Sequence, residues 1–439
     1  MLLNGPNYSP APLAPAIPGL TERPYDAQQV VARDRSLVLL IALLAALLVA
    51  GVTGCGGRSD GATSQRVVSV TVDASDSHAC ALLSSGDVYC WGDNESGELG
   101  TRLPRGQRQS QKPIRVKHVP KALSVAVGSG YDSGFTCAAL RGGKVSCWGS
   151  NAMGTLGRGR FPKHGFFPSG FAGFHPDPTT IRGVERVIAV SGTYDHVCAL
   201  LSSGRVVCWG GNEYEQLGDG RSDHGTFALG ASDWAMDFSP RPVAVKGIRT
   251  ATQVSAGVGQ TCTILKSGRV SCWGVINEVW VGADKKPPVS IDSPKPIEVK
   301  GVHNARQISV GSGFACAVIA GGSIECWSST VKAQVGSPIT VRGVAGATQV
   351  SAGQDRACAV TRGGLVECWD EGYSRIAKTP GRAEQVKGLS KIVQVSVGSE
   401  DRCALRSDGK VFCWKTSPFW PEGLGSTAGR TPTEVTGFP

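Results

Sequence analysis

Fourteen of the fifteen cysteines stand in pairs with nine residues between them, and a tryptophan follows the second cysteine every time. The pairs are Cys80 with Cys90, Cys137 with Cys147, Cys198 with Cys208, Cys262 with Cys272, Cys316 with Cys326, Cys358 with Cys368, and Cys403 with Cys413. The tryptophans are Trp91, Trp148, Trp209, Trp273, Trp327, Trp369 and Trp414. Paired thiols can ligate zinc or oxidise to a disulfide. Zinc sites use closer cysteine spacings than this one, which leaves oxidation. That chemistry persists outside the reducing cytosol. Cys55 stands apart, directly after an apolar run.

Something must bring each pair together, and the intervening residues say what. In Cys80-Ala-Leu-Leu-Ser-Ser-Gly-Asp-Val-Tyr-Cys90, Cys80 and Leu82 share one face of a strand, and so do Val88 and Cys90. Ser84-Ser85-Gly86 supplies a turn, with glycine available for positive φ. A hairpin folded about residue 85 sets Cys80 opposite Cys90, within disulfide reach. The turn glycine recurs at Gly143, Gly204, Gly268, Gly322, Gly364 and Gly409. Closing so small a ring contributes about 2.5–3 kcal/mol in the loop-entropy picture.

Two further strands flank each hairpin. Upstream lies a β-rich run ending in glycine, as in Gln253-Val-Ser-Ala-Gly257 and Gln394-Val-Ser-Val-Gly398. Downstream lies Pro-x-x-Val-x-Gly or a variant, as at Pro242 to Gly247 and Pro432 to Gly437. Four short strands repeated seven times predict an all-β, seven-bladed β-propeller with four-stranded antiparallel blades over 67–439. Successive first cysteines are 57, 61, 64, 54, 42 and 45 residues apart, and the variation falls between strands, where insertions are tolerated. The strand around Val435 is expected to complete the blade begun at Val67 to Val70, since an open first blade leaves unpaired edges.

The unit Cys-Ala-Leu-x-x-x-Gly-x-Val-x-Cys-Trp-Gly resembles the repeat of the regulator-of-chromosome-condensation family. Units 1 to 3 also keep that repeat's tail, in Trp91-Gly-Asp-Asn-Glu-Ser-Gly-Glu-Leu-Gly100, Trp148-Gly-Ser-Asn-Ala-Met-Gly-Thr-Leu-Gly157 and Trp209-Gly-Gly-Asn-Glu-Tyr-Glu-Gln-Leu-Gly218. Units 4 to 7 erode it, as Trp273-Gly-Val-Ile-Asn-Glu and Trp327-Ser-Ser-Thr show. The resemblance implies a seven-bladed propeller. It carries no exchange-factor motif over to this chain, and the fold alone fixes no function. The doubled cysteines look like an exported bacterial branch of the family.

The first 35 residues read as an extension and n-region, with translation starting near Val30 or Val31 at a non-ATG codon. Residues 36–54 read as a signal segment, whose uncharged run at 37–52 is shorter than the roughly 20 residues a spanning helix needs. Val52-Thr53-Gly54-Cys55 resembles the bacterial lipobox, which implies lipidation of Cys55. Residues 55–66 form a flexible tether. The expected address is the bacterial cell envelope, with the protein anchored in a membrane and facing the periplasm or exterior.

Lys and Arg number 45 against 35 Asp and Glu, a net of +10. The segment before Cys55 has three of each, so the excess belongs to the remainder. The cations are dispersed, without a run or interleaved aromatics, which speaks against nucleic acid. His78 and His196 fall two residues before a repeat cysteine and read as structural. His224, Asp223 and Asp219 form a sparse cluster, and no catalytic, metal or cofactor motif is present. The expectation is therefore a binding or scaffold module for a protein or an envelope glycan, monomeric and without a cofactor. The alternatives are an enzyme with a site at the channel mouth and an inhibitor of a secreted enzyme. The repeat tryptophans are expected to pack between blades. Candidate partner-binding residues lie in insertions that leave the repeat register: Phe161, Phe166, Phe167, Phe171 and Phe174, which are five of twelve phenylalanines, with Trp234 and Trp280.

Overall fold

The computed structural model describes residues 65–72, 78–130, 133–159, 175–224, 226–228, 235–279, 289–328, 338–370, 382–399, 401–415 and 431–439. The described strands form seven antiparallel sheets, each contiguous in sequence and, except in blade 3, ordered as the chain runs. Blade 1 is Val67–Val72, His78–Leu83, Val88–Asp93 and Gln109–Arg115. Blade 7 is Ile392–Val397, Asp401–Arg406, Val411–Lys415 and Thr433–Val435. Blade 3 carries a fifth strand, Thr226–Ala228, outside its fourth, Ala235–Ala244. The seven blades are those the sequence predicts.

Each hairpin closes on itself. Cys80 faces Cys90, and Leu82 faces Val88. In the same register Cys137 faces Cys147, Cys198 faces Cys208, Cys262 faces Cys272 and Cys316 faces Cys326. Cys358 faces Cys368, and Cys403 faces Cys413. Disulfides bond Cys80 to Cys90, Cys137 to Cys147, Cys198 to Cys208, Cys262 to Cys272, Cys316 to Cys326, Cys358 to Cys368 and Cys403 to Cys413, with Cα atoms 4.0–4.1 Å apart. No bridge joins two different repeats, so the strand register read from the turn glycine is the one the chain adopts. The hairpin glycines take positive φ, 87° at Gly86 and 73° at Gly143, a conformation that costs glycine no steric penalty.

Each of the seven repeat tryptophans packs against the disulfide of the preceding blade, not its own. Trp148 joins the core holding Cys80 and Cys90, and Trp209 the one holding Cys137 and Cys147. Trp273 joins Cys198 and Cys208, Trp327 joins Cys262 and Cys272, and Trp369 joins Cys316 and Cys326. Trp414 packs with Cys358, and Trp91 closes the ring over Cys403 and Cys413. Burying one indole contributes about 4–6 kcal/mol as an upper bound. Since that area lies between blades, no blade keeps it alone.

The first strand of each blade lines the central channel, and there the blades are stitched by side chains. Gln394 receives the Val70 N–H at 3.0 Å and donates to the Val70 carbonyl at 3.0 Å, which ties blade 7 to blade 1. Gln253 makes the same pair of bonds to Ile308, Gln307 to Val350, and Gln349 to Val395. Two residues on, Ser255, Ser309, Ser351 and Ser396 each accept a backbone N–H of the next blade at 2.9–3.0 Å. These side chains act as an extra strand would, satisfying edge groups that water would otherwise have to reach. The glycine ending the run is required by the same close approach. A Cβ on Gly353 would collide with the carbonyl oxygen of Gly398.

Closure differs from the expectation in one respect. Thr433–Val435 pairs with Val411, Phe412 and Cys413 inside blade 7, and does not join blade 1. Blade 1 already has its own fourth strand, so no edge awaits a donor. Pairing within one repeat also closes a shorter loop. The chain end still reaches across: the Phe438 ring lies 6.1 Å from Tyr89 and 5.8 Å from Trp91, edge to face with both.

Candidate functional site

Three places could carry function: the channel, the insertion of blade 3, and a cleft between blades 6 and 7. The channel holds a cavity of about 380 Å³ lined from all seven blades. Among the described residues its lining is Ser, Thr, Gly, Ala and Val with Tyr194 and Gln354, and these include no carboxylate, imidazole, guanidinium, ammonium or thiol. Acid–base chemistry needs a titratable group within hydrogen-bond reach of the substrate, and the described lining offers the Tyr194 phenol. Among the described residues no three His, Cys, Asp or Glu side chains gather as a metal site.

His78 and His196 are structural staples. His78 Nε2 lies 2.9 Å from Thr136 Oγ1, and that hydroxyl donates to the Glu98 carbonyl at 2.9 Å. The threonine proton is thus committed, so the ring donates. His196, Thr261 and the Gln216 carbonyl repeat the arrangement at 2.8 and 3.0 Å. The same two carbonyls accept Trp148 Nε1 and Trp273 Nε1 at 2.8 Å, and the Thr155 carbonyl accepts Trp209 Nε1 at 2.8 Å. The tails of units 1 to 3 therefore place one carbonyl and one buried leucine, Leu99, Leu156 or Leu217, against the next blade. The Glu98 side chain is buried there, and desolvation pushes its carboxyl up to about 7 despite His78 nearby and the Ser96 N–H at 2.8 Å.

In the blade 3 insertion, His224 sits between Asp219 and Asp237, not beside Asp223. Its Nε2 lies 3.0 Å from Asp219 Oδ2, and its Nδ1 lies 3.1 Å from Asp237 Oδ2. Asp237 also accepts the His224 N–H at 2.8 Å and Asn212 Nδ2 at 2.6 Å. Hydrogen bonding to Asp237 raises the His224 pKa against the opposing effect of burial. The imidazole is buried, with both nitrogens engaged. It clamps the insertion to the tail of unit 3, and nothing in the sequence marks Asp237 as its partner.

The third place was not visible in the sequence. At the register position facing the repeat tryptophan, six blades carry Ala79, Thr136, Val197, Thr261, Ala315 and Ala357, and blade 7 carries Arg402. Arg402 is only 1 % exposed. One pair outward, glycine or serine faces the residue two before the cysteine in blades 1 to 5. Blade 6 has Asp370 facing Arg356, an ion pair at 2.6 Å, and blade 7 has Lys415 facing Asp401 at 4.0 Å. Arg356, Asp370, Arg402 and Lys415 line a cleft of about 610 Å³ with Trp369, Trp414, Arg382, Lys387 and Glu384. Of the residues the sequence nominates for partner binding, Phe161, Phe166, Phe167, Phe171, Phe174, Trp234 and Trp280 lie outside the described residues, as does Cys55. Phe238, in the same insertion as Trp234, is buried.

These features define the class: a disulfide-stapled, seven-bladed propeller of Cys-Trp hairpin repeats. Two models of the Regulator of chromosome condensation (RCC1) repeat match it, one over residues 70–98 and 187–216, the other over 85–132 and 203–264. Over those residues the chain carries repeats of the regulator-of-chromosome-condensation type. It is 26% identical over 259 residues to the RCC1 domain-containing protein RUG3, mitochondrial, of Arabidopsis thaliana, covering 56% of this chain and 52% of that one. The chain spans about half the length, or less, of the curated relatives it matches. Its fold matches the crystal structure of human WBSCR16 with a TM-score of 0.58 at 21% identity, covering 80% of this chain and 94% of that one. Prp20p from Saccharomyces cerevisiae, whose structure was described with its binding to Gsp1p and histones, matches with a TM-score of 0.57 at 18% identity, covering 80% and 86%.

Proposed function

We propose that this chain is an exported, lipid-anchored propeller that acts as a binding or scaffold module for a protein or an envelope glycan. One juxtaposition carries the reading: a lipobox-like Val52-Thr53-Gly54-Cys55 precedes seven hairpins that are each closed by a disulfide. Disulfides at that density suit an oxidising compartment. Prp20p, a relative in fold, binds proteins, which supports a macromolecular partner.

Two experiments test this reading. Cells expressing the full chain are fed a palmitate analogue. The wild type should incorporate it and Cys55→Ser should not, and equal labelling of both would sink the anchor. Separately, the oxidised chain without its lipid is used to capture partners from envelope extracts. Failure to retain any protein or glycan above a reduced, unfolded control would overturn the binding reading.

A further inference from the structure

We propose that one face of the propeller docks on a membrane surface carrying anionic lipid headgroups. The face is built from the turns between strands 2 and 3 of each blade and the connections from strand 4 to the next blade. The proposal deepens the anchored-module reading and rests on it for the anchor. It adds a second, reversible contact that the propeller itself makes.

In antiparallel blades, successive connections alternate between the two ends of the strands. The hairpin turns and the blade-to-blade connections share one end, and together they hold 17 Lys and Arg against 3 Asp and Glu. All 17 of those cations are exposed. By sequence, the connections at the other end, from strand 1 to 2 and from strand 3 to 4, hold 14 against 16. Between residues 65 and 439, every segment outside the described residues belongs to this second set, so the first count rests on described residues alone. Lys121, Arg269 and Lys410 pair with Asp87, Glu298 and Glu434, and these three pairs leave the excess in place. Cations scattered along the chain are thus gathered on one surface by the fold.

The same end carries an apolar arc. The second residue of each inner strand is skipped by the pairing with strand 2, a bulge repeated in all seven blades. In the consecutive blades 7, 1, 2 and 3 that residue is Val393, Val68, Leu123 and Ile188, which are 51, 42, 44 and 46 % exposed. In blades 4, 5 and 6 it is Thr252, Arg306 and Thr348. Neighbouring inner strands are bonded beside these positions, Gln394 to Val70 and Ser124 to Val190, so the four aliphatics form a band. Exposed aliphatics bordered by cations suit a bilayer, whose headgroups take the charges and whose acyl boundary takes the apolar side chains. Nucleic acid offers phosphates to the cations but no apolar layer to the arc. The chain also enters blade 1 at this end, through Arg66, eleven positions after Cys55. An anchor on Cys55 would therefore tether this face, and the flexible residues between them leave it free to lie flat.

The test uses the oxidised propeller, residues 65–439, whose ring closes on its own through Gln394 and Val70. It is sedimented with vesicles of phosphatidylcholine alone and of phosphatidylcholine mixed with phosphatidylglycerol. Affinity should be about tenfold or more higher for the mixed vesicles and should fall with added salt. Arg141→Gln with Arg182→Gln and Arg205→Gln should lower it by about tenfold or more. Val68→Thr with Leu123→Thr and Ile188→Thr should lower it by about threefold or more. Threonine already stands at that position in blades 4 and 6, and all six side chains are exposed, so both variants should melt like the wild type. Arg105→Gln with Arg108→Gln, between strands 3 and 4 of blade 1, controls for the other end and should change nothing. No preference for the mixed vesicles, or a preference that either face variant leaves unchanged, overturns the docking face. A DNA duplex that binds more tightly than the mixed vesicles, and equally to the threonine variant, overturns it too and gives the face to nucleic acid. Vesicle binding that persists while Cys55→Ser is labelled like the wild type overturns the anchor alone.

Discussion

The two arcs of the ring hold their blades together by different means. Between blades 1 and 2, 2 and 3, and 3 and 4, the outer tail of one unit gives a carbonyl to the next tryptophan, with a leucine buried beside it. From blade 4 round to blade 1 those tails are eroded, and the indole nitrogens of Trp327, Trp369 and Trp91 have no hydrogen-bond partner among the described residues. There the inner strands take over, through Gln253, Gln307, Gln349 and Gln394. The corresponding inner positions of blades 1 to 3 are Ser69, Ser124 and Ala189, of which Ser124 receives a single N–H, that of Val190. An interface needs enough directed bonds to fix its register, and either rim of the sheet can supply them. The family models match residues in the arc that keeps the tail. The unusual charges lie in the arc that lost it.

Full reduction of the disulfides should have the largest effect, and should not respect the arcs. Each of the seven repeat tryptophans rests on a neighbour's disulfide, and each hairpin bond contributes about 2.5–3 kcal/mol. Tryptophan fluorescence with and without reductant should show one cooperative loss across the ring. Two separate transitions would make the arcs independent bodies.

Next comes the inner stitch. Gln394→Ala removes two bonds and strands the Val70 amide and carbonyl, so it should destabilise by about 2–4 kcal/mol. Ser124→Ala removes one bond and should cost about 1 kcal/mol. Equal costs in chemical denaturation would erase the contrast.

Glu98 probes the tail arc by pH. Its folded pKa is raised to about 7 against an ordinary 4.5, so the folded state binds the proton more tightly. Stability due to that proton is present below pH 4.5 and is lost as pH rises through 7. Glu98→Gln copies the residue that unit 3 carries at Gln216. It should leave stability unchanged near about pH 4.5 and raise it by about 2–3 kcal/mol at about pH 8. A variant no more stable than wild type under those alkaline conditions would mean that the carboxylate is solvated.

The smallest difference compares indoles. Trp209→Phe loses a hydrogen bond and leaves the Thr155 carbonyl unpaired, whereas Trp369→Phe loses only volume. The first should be more damaging by about 1 kcal/mol. A reversed order would place the stronger indole contact in the eroded arc.

The cysteine spacing, the turn glycines and the recurring Gln-Val-Ser runs are local signals, and by themselves they determined seven hairpins, each inside a blade of four strands, and self-closed disulfides. Neighbours along the chain suffice for that, because each hairpin bonds cysteines 10 residues apart. Units 1 to 3 also revealed their tails, though not what a tail touches. What joins blades was decided only in three dimensions. The seat of each tryptophan on the preceding disulfide, the Gln394–Val70 closure and the Asp237 partner of His224 link residues 13 to 324 positions apart, and no periodicity encodes such pairs. The closing strand eludes sequence reasoning for the same reason: one sequence suits either edge, and only the ring shows that blade 1 is already complete. The cleft of Arg402 was hidden because a single arginine among dispersed cations carries no pattern. It becomes legible when seven registers are superposed and one position that is elsewhere alanine, threonine or valine proves to hold a buried charge.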